Sequence, residues 1–142
     1  MKTVRELLEA KTGEVVTIGP DATVLDAVRL MADRDIGSVA IVEGERLIGV
    51  LTERHYARDV ILAGRRSETT AVRDDMSSDL VPVSLESTVD TCMALMTERR
   101  IRHLPVLESE RLLGIVSIGD LVRSKLADQE QTIDQLTQYI NG

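Results

Sequence analysis

The stretch Gly114-Ile115-Val116-Ser117-Ile118-Gly119-Asp120, entered from Arg111-Leu112-Leu113, sets a hydroxyl and a carboxylate three positions apart where an apolar strand runs into a helix. A helix start carries backbone N–H groups without intrahelical partners, and these attract phosphate oxygens. A carboxylate in the same turn accepts hydrogen bonds from a pair of neighbouring hydroxyls, such as a ribose diol. The same Ser-x-x-Asp pattern before an apolar run is also a capping box, which satisfies only the helix's own donors. The elements around the turn must decide between these uses.

Composition narrows the partners. The chain of 142 residues is 43% hydrophobic yet contains no Phe or Trp, and Tyr56 and Tyr139 are its only aromatics. A bound base would therefore lie between aliphatic side chains, because aromatic stacking platforms are missing. A net charge of −7 argues against nucleic acid, which needs a basic footprint. Cys92 is the only cysteine and falls within an apolar helical pattern, so it reads as a small buried hydrophobe rather than part of a disulfide or metal site. Met1-Lys2-Thr3-Val4-Arg5-Glu6 has no apolar signal core, and no run approaches the length of a membrane span. A cytoplasmic protein without membrane contact is expected.

Thr3-Val4-Arg5-Glu6 predicts a short helix to about Ala10, broken by Lys11-Thr12-Gly13. Glu14 to Ile18 reads as a strand closed by Gly19-Pro20-Asp21. Val24, Ala27, Val28, Leu30 and Met31 fall at helical spacing between Thr23 and Arg34. Ser38 to Val42 and Leu47 to Leu51 are apolar strands joined by a polar turn, which predicts a hairpin. Thr52 then caps a helix to about Leu62. The order begins again after a polar link. Thr88-Val89 echoes Thr23-Val24, Leu95-Met96 echoes Leu30-Met31, and Ile101 echoes Ile36. Glu110-Arg111-Leu112 echoes Glu45-Arg46-Leu47, all at the offset that separates Gly49 from Gly114.

The expected organisation is a first repeat at 3–64, a linker at 65–71, a second repeat at 72–126, and an amphipathic C-terminal helix at 127–142. Neither repeat is large enough to cover both faces of its own sheet. Packing the two sheet to sheet about a pseudo-twofold axis solves this and creates two equivalent clefts, each walled by both copies. The predicted fold class is α/β (α+β), with two β-α-β-β-α repeats.

Met96, then Ile101-Arg102-His103-Leu104-Pro105-Val106, then Leu113 to Asp120, together with their echo in the first half, resemble a tandem pair of CBS domains, the Bateman module. The resemblance extends from about Val4 to Lys125, and the ending is similar to small stand-alone bacterial members. It implies a non-enzymatic regulatory module with no catalytic cofactor. Its ligand would be an adenine nucleotide or other adenosyl compound: AMP, ADP, ATP, NAD(H) or S-adenosylmethionine. By the same resemblance Asp120 would hold the ribose hydroxyls and Ser117 would contact phosphate or ribose. Val81-Pro82-Val83 would read the adenine edge, Ile101, Pro105 and Ile118 would form apolar walls, and Arg102 and His103 would reach the phosphates.

The first copy departs from the pattern. Gly49-Val50-Leu51-Thr52-Glu53-Arg54-His55 puts His55 where the second copy has Asp120, and Gly37-Ser38 replace Arg102-His103. A neutral imidazole cannot grip both hydroxyls of a diol as a carboxylate does. The second cleft, expected at Val16, Gly37, Ser38, Thr52, Arg54 and His55, is therefore the weaker nucleoside site, with Arg54 and Arg58 leaving a phosphate-rich role open. Simpler uses stand beside these. His55 can be a solvent-facing residue of a first helical turn, His103 can hydrogen-bond a loop carbonyl, and Arg65-Arg66 reads as a solvated charge pair. Ile133, Leu136 and Ile140 form an apolar stripe that either folds back or meets a second chain, and a homodimer is expected. The signal would pass to an effector protein acting in trans. A purely structural dimerisation module with a vestigial site is the alternative. A nucleotide-processing enzyme is disfavoured by the lack of any nucleophile–base pair or acidic metal cluster.

Overall fold

Threonine hydroxyls start four of the helices. In the computed structural model, which describes residues 2–11 and 15–141, Thr3, Thr23, Thr52 and Thr88 each accept the N–H three residues on, at 3.0–3.5 Å. Such caps satisfy donors that the helix itself leaves unpaired. The elements in order are α1 (Val4–Ala10), β1 (Thr17–Ile18), α2 (Val24–Arg34), β2 (Ser38–Glu43), β3 (Arg46–Thr52) and α3 (Glu53–His55), which continues as a π-helical stretch (Tyr56–Ile61). Then follow α4 (Val72–Asp75), α5 (Val89–Arg99), β4 (His103–Glu108), β5 (Arg111–Ser117) and α6 (Ile118–Asn141).

The two hairpins are built alike. β2 pairs with β3 and β4 with β5, both antiparallel, and each carries an irregularity at the matching place, between Ile41 and Val42 and between Val106 and Leu107. Ser109 and Glu110 make the second turn with φ of 50° and 68°, the left-handed pair that a tight hairpin requires. The hairpins join into one sheet of order β1-β2-β3-β5-β4 through the single pairing of Arg46 with Arg111. Elsewhere their faces meet across an apolar layer in which Ala40, Leu47 and Val50 are buried with Leu107, Leu112 and Ile115 packed against them. The mixed α and β repeats and their sheet-to-sheet contact are as the sequence predicts.

Three local differences have physical causes. The strand expected from Glu14 is confined to Thr17–Ile18, with Glu14 outside the described residues. Its counterpart at Val81-Pro82-Val83 is reduced to one bridge between Val83 and Val106, since Pro82 has no N–H to give. The helix after Thr52 changes to i→i+5 bonding, with Leu62 N–H donating to the Ala57 carbonyl, a register in which Val60 is fully buried while Ile61 and Leu62 stay exposed.

The helices that open the repeats are exchanged. Val4 and Leu7 of α1 lie in the core of the second repeat beside Val83, Cys92, Met96 and Val116. Val72 of α4 lies in the core of the first, beside Val24, Met31, Ile41 and Leu51. Backbone bonds fix both exchanges: Val4 N–H to Ser87 O at 2.8 Å, and Val72 N–H to Ala22 O at 2.9 Å. Gly114 and Gly49 are where these segments seat. A Cβ on Gly114 would stand 2.9 Å from Leu8 Cδ2, and one on Gly49 would collide with Met76.

The linker is fastened to the first repeat although most of its side chains stay exposed. Arg65 and Arg66 are both exposed, as a solvated pair should be, but Arg65 also pairs with the buried Asp75, because a buried carboxylate needs a counter-charge. Thr70 Oγ1 donates to the Arg66 carbonyl at 2.7 Å, and Ser67 and Thr70 carbonyls accept from Leu25 and Val24. Residues 127–141 are not a separate helix but the continuation of α6, which runs unbroken to Asn141. Among the described residues no helix is long and apolar enough to cross a membrane.

Val4→Ala should cost about 2 kcal/mol, the burial lost with its methyl groups. The exchange predicts where the loss is felt. Hydrogen exchange should accelerate at the amides of Leu104 and Val116 in the second repeat, while Val39 and Leu51 in the first stay protected.

Candidate functional site

The end of β5 at Ser117 and the first turn of α6 at Asp120 stand at the mouth of a cleft between the repeats. Ser117 N–H donates to Asp120 Oδ2 at 2.9 Å, and Asp120 N–H donates to Ser117 Oγ at 3.2 Å, so the capping box is formed. Ile118 N–H is used as well, donating to the Arg102 carbonyl at 2.9 Å. The backbone donors expected to await a phosphate at this turn are thus largely engaged. What remains is the carboxylate, buried at 7% exposure and contacted by two cations. Lys11 Nζ sits 2.9 Å from Oδ2, and an Arg123 guanidinium nitrogen sits 2.8 Å from Oδ1. Burial alone would raise the carboxyl's pKa, but the Ser117 N–H and the Lys11 ammonium outweigh it and hold the group below the usual range. Lys11 also donates to the Ile115 carbonyl at 2.8 Å, which aligns it across the cleft.

The opposite wall comes from the first repeat. Val16, Ile36, Gly37 and Ser38 face Ser117 and Asp120 around a cavity of about 430 Å³. His103 enters from β4 and rests against Gly37, where a Cβ would stand 3.6 Å from Nε2. Burial first, then the charges of Lys11 and Arg102, hold the imidazole below its ordinary pKa against the opposing pull of Asp120. A second cavity of about 640 Å³ lies beyond His103 and Gly37, which line both. It gathers Thr52, Arg54 and His55 of the first repeat with Val81, Ile101, Arg102 and Pro105 of the second. Thr52 Oγ1 accepts His55 N–H at 3.0 Å, and His55 Nδ1 lies 3.1 Å from Asp59.

The expected residue sets are therefore redistributed. Ser117, Asp120 and His103 keep company with Val16, Gly37 and Ser38, whereas Val81, Ile101, Arg102 and Pro105 belong with Thr52, Arg54 and His55. The reason is the antiparallel placement of the repeats, which sets the strand-to-helix turn of one against the first segment of the other. Val83 is buried, with its N–H donating to Pro105 O and its carbonyl accepting from Leu107, so its backbone is not free to read a base edge. Pro82 and Ile118 line neither cavity. Lys11 and Arg123 were not among the expected residues. Arg123 was within reach of a sequence reading, being one helical turn from Asp120. Lys11 was not, since only the exchanged α1 brings it there.

Chemically, the first cleft offers an ionised, desolvated carboxylate whose partners are the ends of two long side chains. An incoming pair of hydroxyl donors can take their place, releasing an ammonium and a guanidinium to meet negative charge nearby. The pKa shifts of Asp120 and His103 act in the same direction. For His103 the unfolded chain binds the proton more readily, so stability falls as pH drops below the ordinary imidazole value of about 6.5. For Asp120 the stabilisation is present above the unfolded carboxyl pKa and is lost as pH falls through the folded one. Urea midpoints followed across pH should show both losses, and His103→Gln should remove only the earlier one. In an NMR titration, Lys11→Met should move the His103 pKa upward, since an adjacent positive charge has been removed.

The CBS domain matches this chain twice, over residues 4–61 and 72–127. A CBS-domain-containing protein of Arabidopsis mitochondria, CBSX3 of Arabidopsis thaliana, is 40% identical over 127 residues, which is 86% of this chain and 62% of that protein's length. The chain thus spans less than two thirds of that relative. The solved structure of a CBS-domain protein from Burkholderia ambifaria is 43% identical and superposes with a TM-score of 0.84 over 90% of this chain and 96% of its own. The CBS domain pair of protein MJ0100, solved in complex with 5′-methylthioadenosine and S-adenosyl-L-methionine, shares the fold at 20% identity, with a TM-score of 0.78 over 90% of this chain and 98% of its own. With both halves matched, this chain belongs to the CBS-domain family and is a tandem CBS pair.

Proposed function

We propose that the module is a non-enzymatic sensor that binds an adenosyl compound (AMP, ADP, ATP, NAD(H) or S-adenosylmethionine) in the cleft between its repeats. The observation that carries this reading is the Asp120 carboxylate, buried at the mouth of an inter-repeat cavity and held ionised by side chains that a ligand can displace. A ribose diol supplies the two donors such a carboxylate accepts, and Val16, Ile36 and Ile115 give a base the aliphatic walls this composition allows. The adenosyl ligands in the MJ0100 complex are consistent with that chemistry. Because each cleft is walled by both repeats, occupancy biases their relative placement through the ligand's different affinity for the two arrangements. A partner in trans would read that bias, in the cytoplasm.

A second reading has an observation of its own. Ile133, Leu136, Tyr139 and Ile140 of α6 are all more than half exposed, which supports pairing of this helix between two chains and a module whose main task is dimerisation. In that case the Asp120 box serves only as a cap.

Thermal unfolding against AMP, ADP, ATP, NAD, NADH and S-adenosylmethionine separates the readings. A ligand that binds only the folded state adds about 2.7 kcal/mol of stability at a hundredfold excess over its Kd. The expected result is a raised midpoint with at least one compound, lost in Asp120→Ala. No shift with any of them, on nucleotide-free protein, sinks the sensor and leaves the scaffold.

A further inference from the structure

The family match stops at residue 127, but α6 runs on to Asn141. Every residue from 129 to 140 is exposed, and past the Lys2–Asp128 pair no salt bridge ties this end of the helix to the rest of the described residues. A helical end of this length standing alone in water is marginal. Its composition helps little, since Thr132, Ile133, Thr137, Tyr139 and Ile140 all form helix less readily than Ala, Leu or Gln. Burial against another surface has to hold it.

The spacing says which surface. Leu126, Ile133 and Ile140 recur every seven residues, and Val122, Gln129 and Leu136 form a second series three places on from the first. All six are exposed, whereas Leu121 and Ser124, on another face of the same turns, are buried against the body. This is the apolar seam of a coiled coil, and isoleucine in the first series with leucine in the second favours two parallel strands. Two polar residues agree on the direction. With two copies parallel and in register, Gln129 meets its own copy, and the amides can bond to each other. Lys125 then flanks the seam beside Glu130 of the partner subunit, with opposite charge. Lys125 already holds Asp90 of its own chain, but an ammonium has further donors to share. Reversing one helix sets Gln129 against the partner's Ile133, which buries an amide without a bond, and sets Glu130 against its own copy.

We infer that residues 122–140 form a parallel, in-register two-stranded coiled coil with a second copy of this chain. The inference rests on the helix-pairing reading given above and adds its direction and register; it holds whether or not Asp120 takes a ligand. Because α6 starts at the Asp120 turn, a parallel seam sets both Asp120 turns at the same end.

Ile133→Cys and Ile140→Cys, made singly in the full chain, read the register. Under mild oxidation each should link to its own copy, and Cys92 is buried and does not compete. A reversed seam carries Ile140 to the far end from its own copy, so no link forms there. Sedimentation equilibrium gives the second readout. The wild type should be a dimer, and Ile133→Glu combined with Leu136→Glu should be a monomer. Gln131→Glu combined with Gln138→Glu adds the same charge on the outer face of the helix and should leave the dimer intact. All four side chains are exposed in the single chain, so the repeats stay folded in both variants. Loss of the dimer without a link at Ile140→Cys overturns the parallel register and leaves the helices paired. A monomeric wild type, or a dimer untouched by the Ile133→Glu and Leu136→Glu pair, overturns the pairing itself. Adenosyl titration of the same variants reports on Asp120 alone, so failure of the sensor reading is told apart from failure of the seam.

Discussion

Val4 and Leu7 lie among the buried side chains of the second repeat and Val72 among those of the first, so each hydrophobic core takes an essential piece from the segment that opens the other repeat. The exchange is held by main-chain bonds from Val4 to Ser87 and from Val72 to Ala22, and by the two glycines that leave room for Leu8 and Met76. Apolar burial supplies the driving force, and repeats this small could not gather enough of it separately. The rest follows from that constraint. The repeats cannot part without opening both cores, so each cleft between them stays walled by both.

The same constraint brings Lys11 to Asp120. Its position at the end of α1 makes it a residue of the second repeat's cleft although it belongs to the first repeat in the chain. The ammonium serves as counter-ion to a carboxylate that burial would otherwise tend to neutralise. The Ser117–Asp120 box and the ion pairs do not compete, because they use different capacity. One Oδ2 lone pair meets the Ser117 N–H, and the remaining acceptor positions meet Lys11 and Arg123. Cap and cleft are the same turn seen from inside the helix and from the cavity.

Pseudo-symmetry is kept in the backbone and broken in the chemistry. Ile118 N–H to Arg102 O and Glu53 N–H to Gly37 O are the same bond in the two repeats, as are the left-handed helix ends at Asp35 and Arg100. At the side-chain level Asp120 faces one cavity and His55 the other, and Arg102-His103 stand where the first repeat has Gly37-Ser38. One scaffold thus carries two clefts of different chemistry, meeting at His103. The helices after the two turns diverge as well. The first relaxes into π-helical bonding and stops, while α6 continues to Asn141 with an exposed apolar stripe.

The sequence by itself determined the repeat, the hairpins, the threonine caps and the Ser117–Asp120 turn. These depend on neighbours within a few residues, through alternation, helical spacing and short side-chain-to-backbone bonds. It also determined that the two clefts differ, since Asp120 and His55 occupy equivalent places. Only the tertiary structure decided which residues share a cavity. Val81, Ile101, Arg102 and Pro105 face His55 rather than Asp120, and Lys11 reaches Asp120 across most of the chain. Nor did local pattern show that Arg65, an exposed linker arginine, also binds the buried Asp75. Each of these turns on how two halves dock, and docking is set by long-range apolar burial and backbone pairing that no window of neighbouring residues encodes.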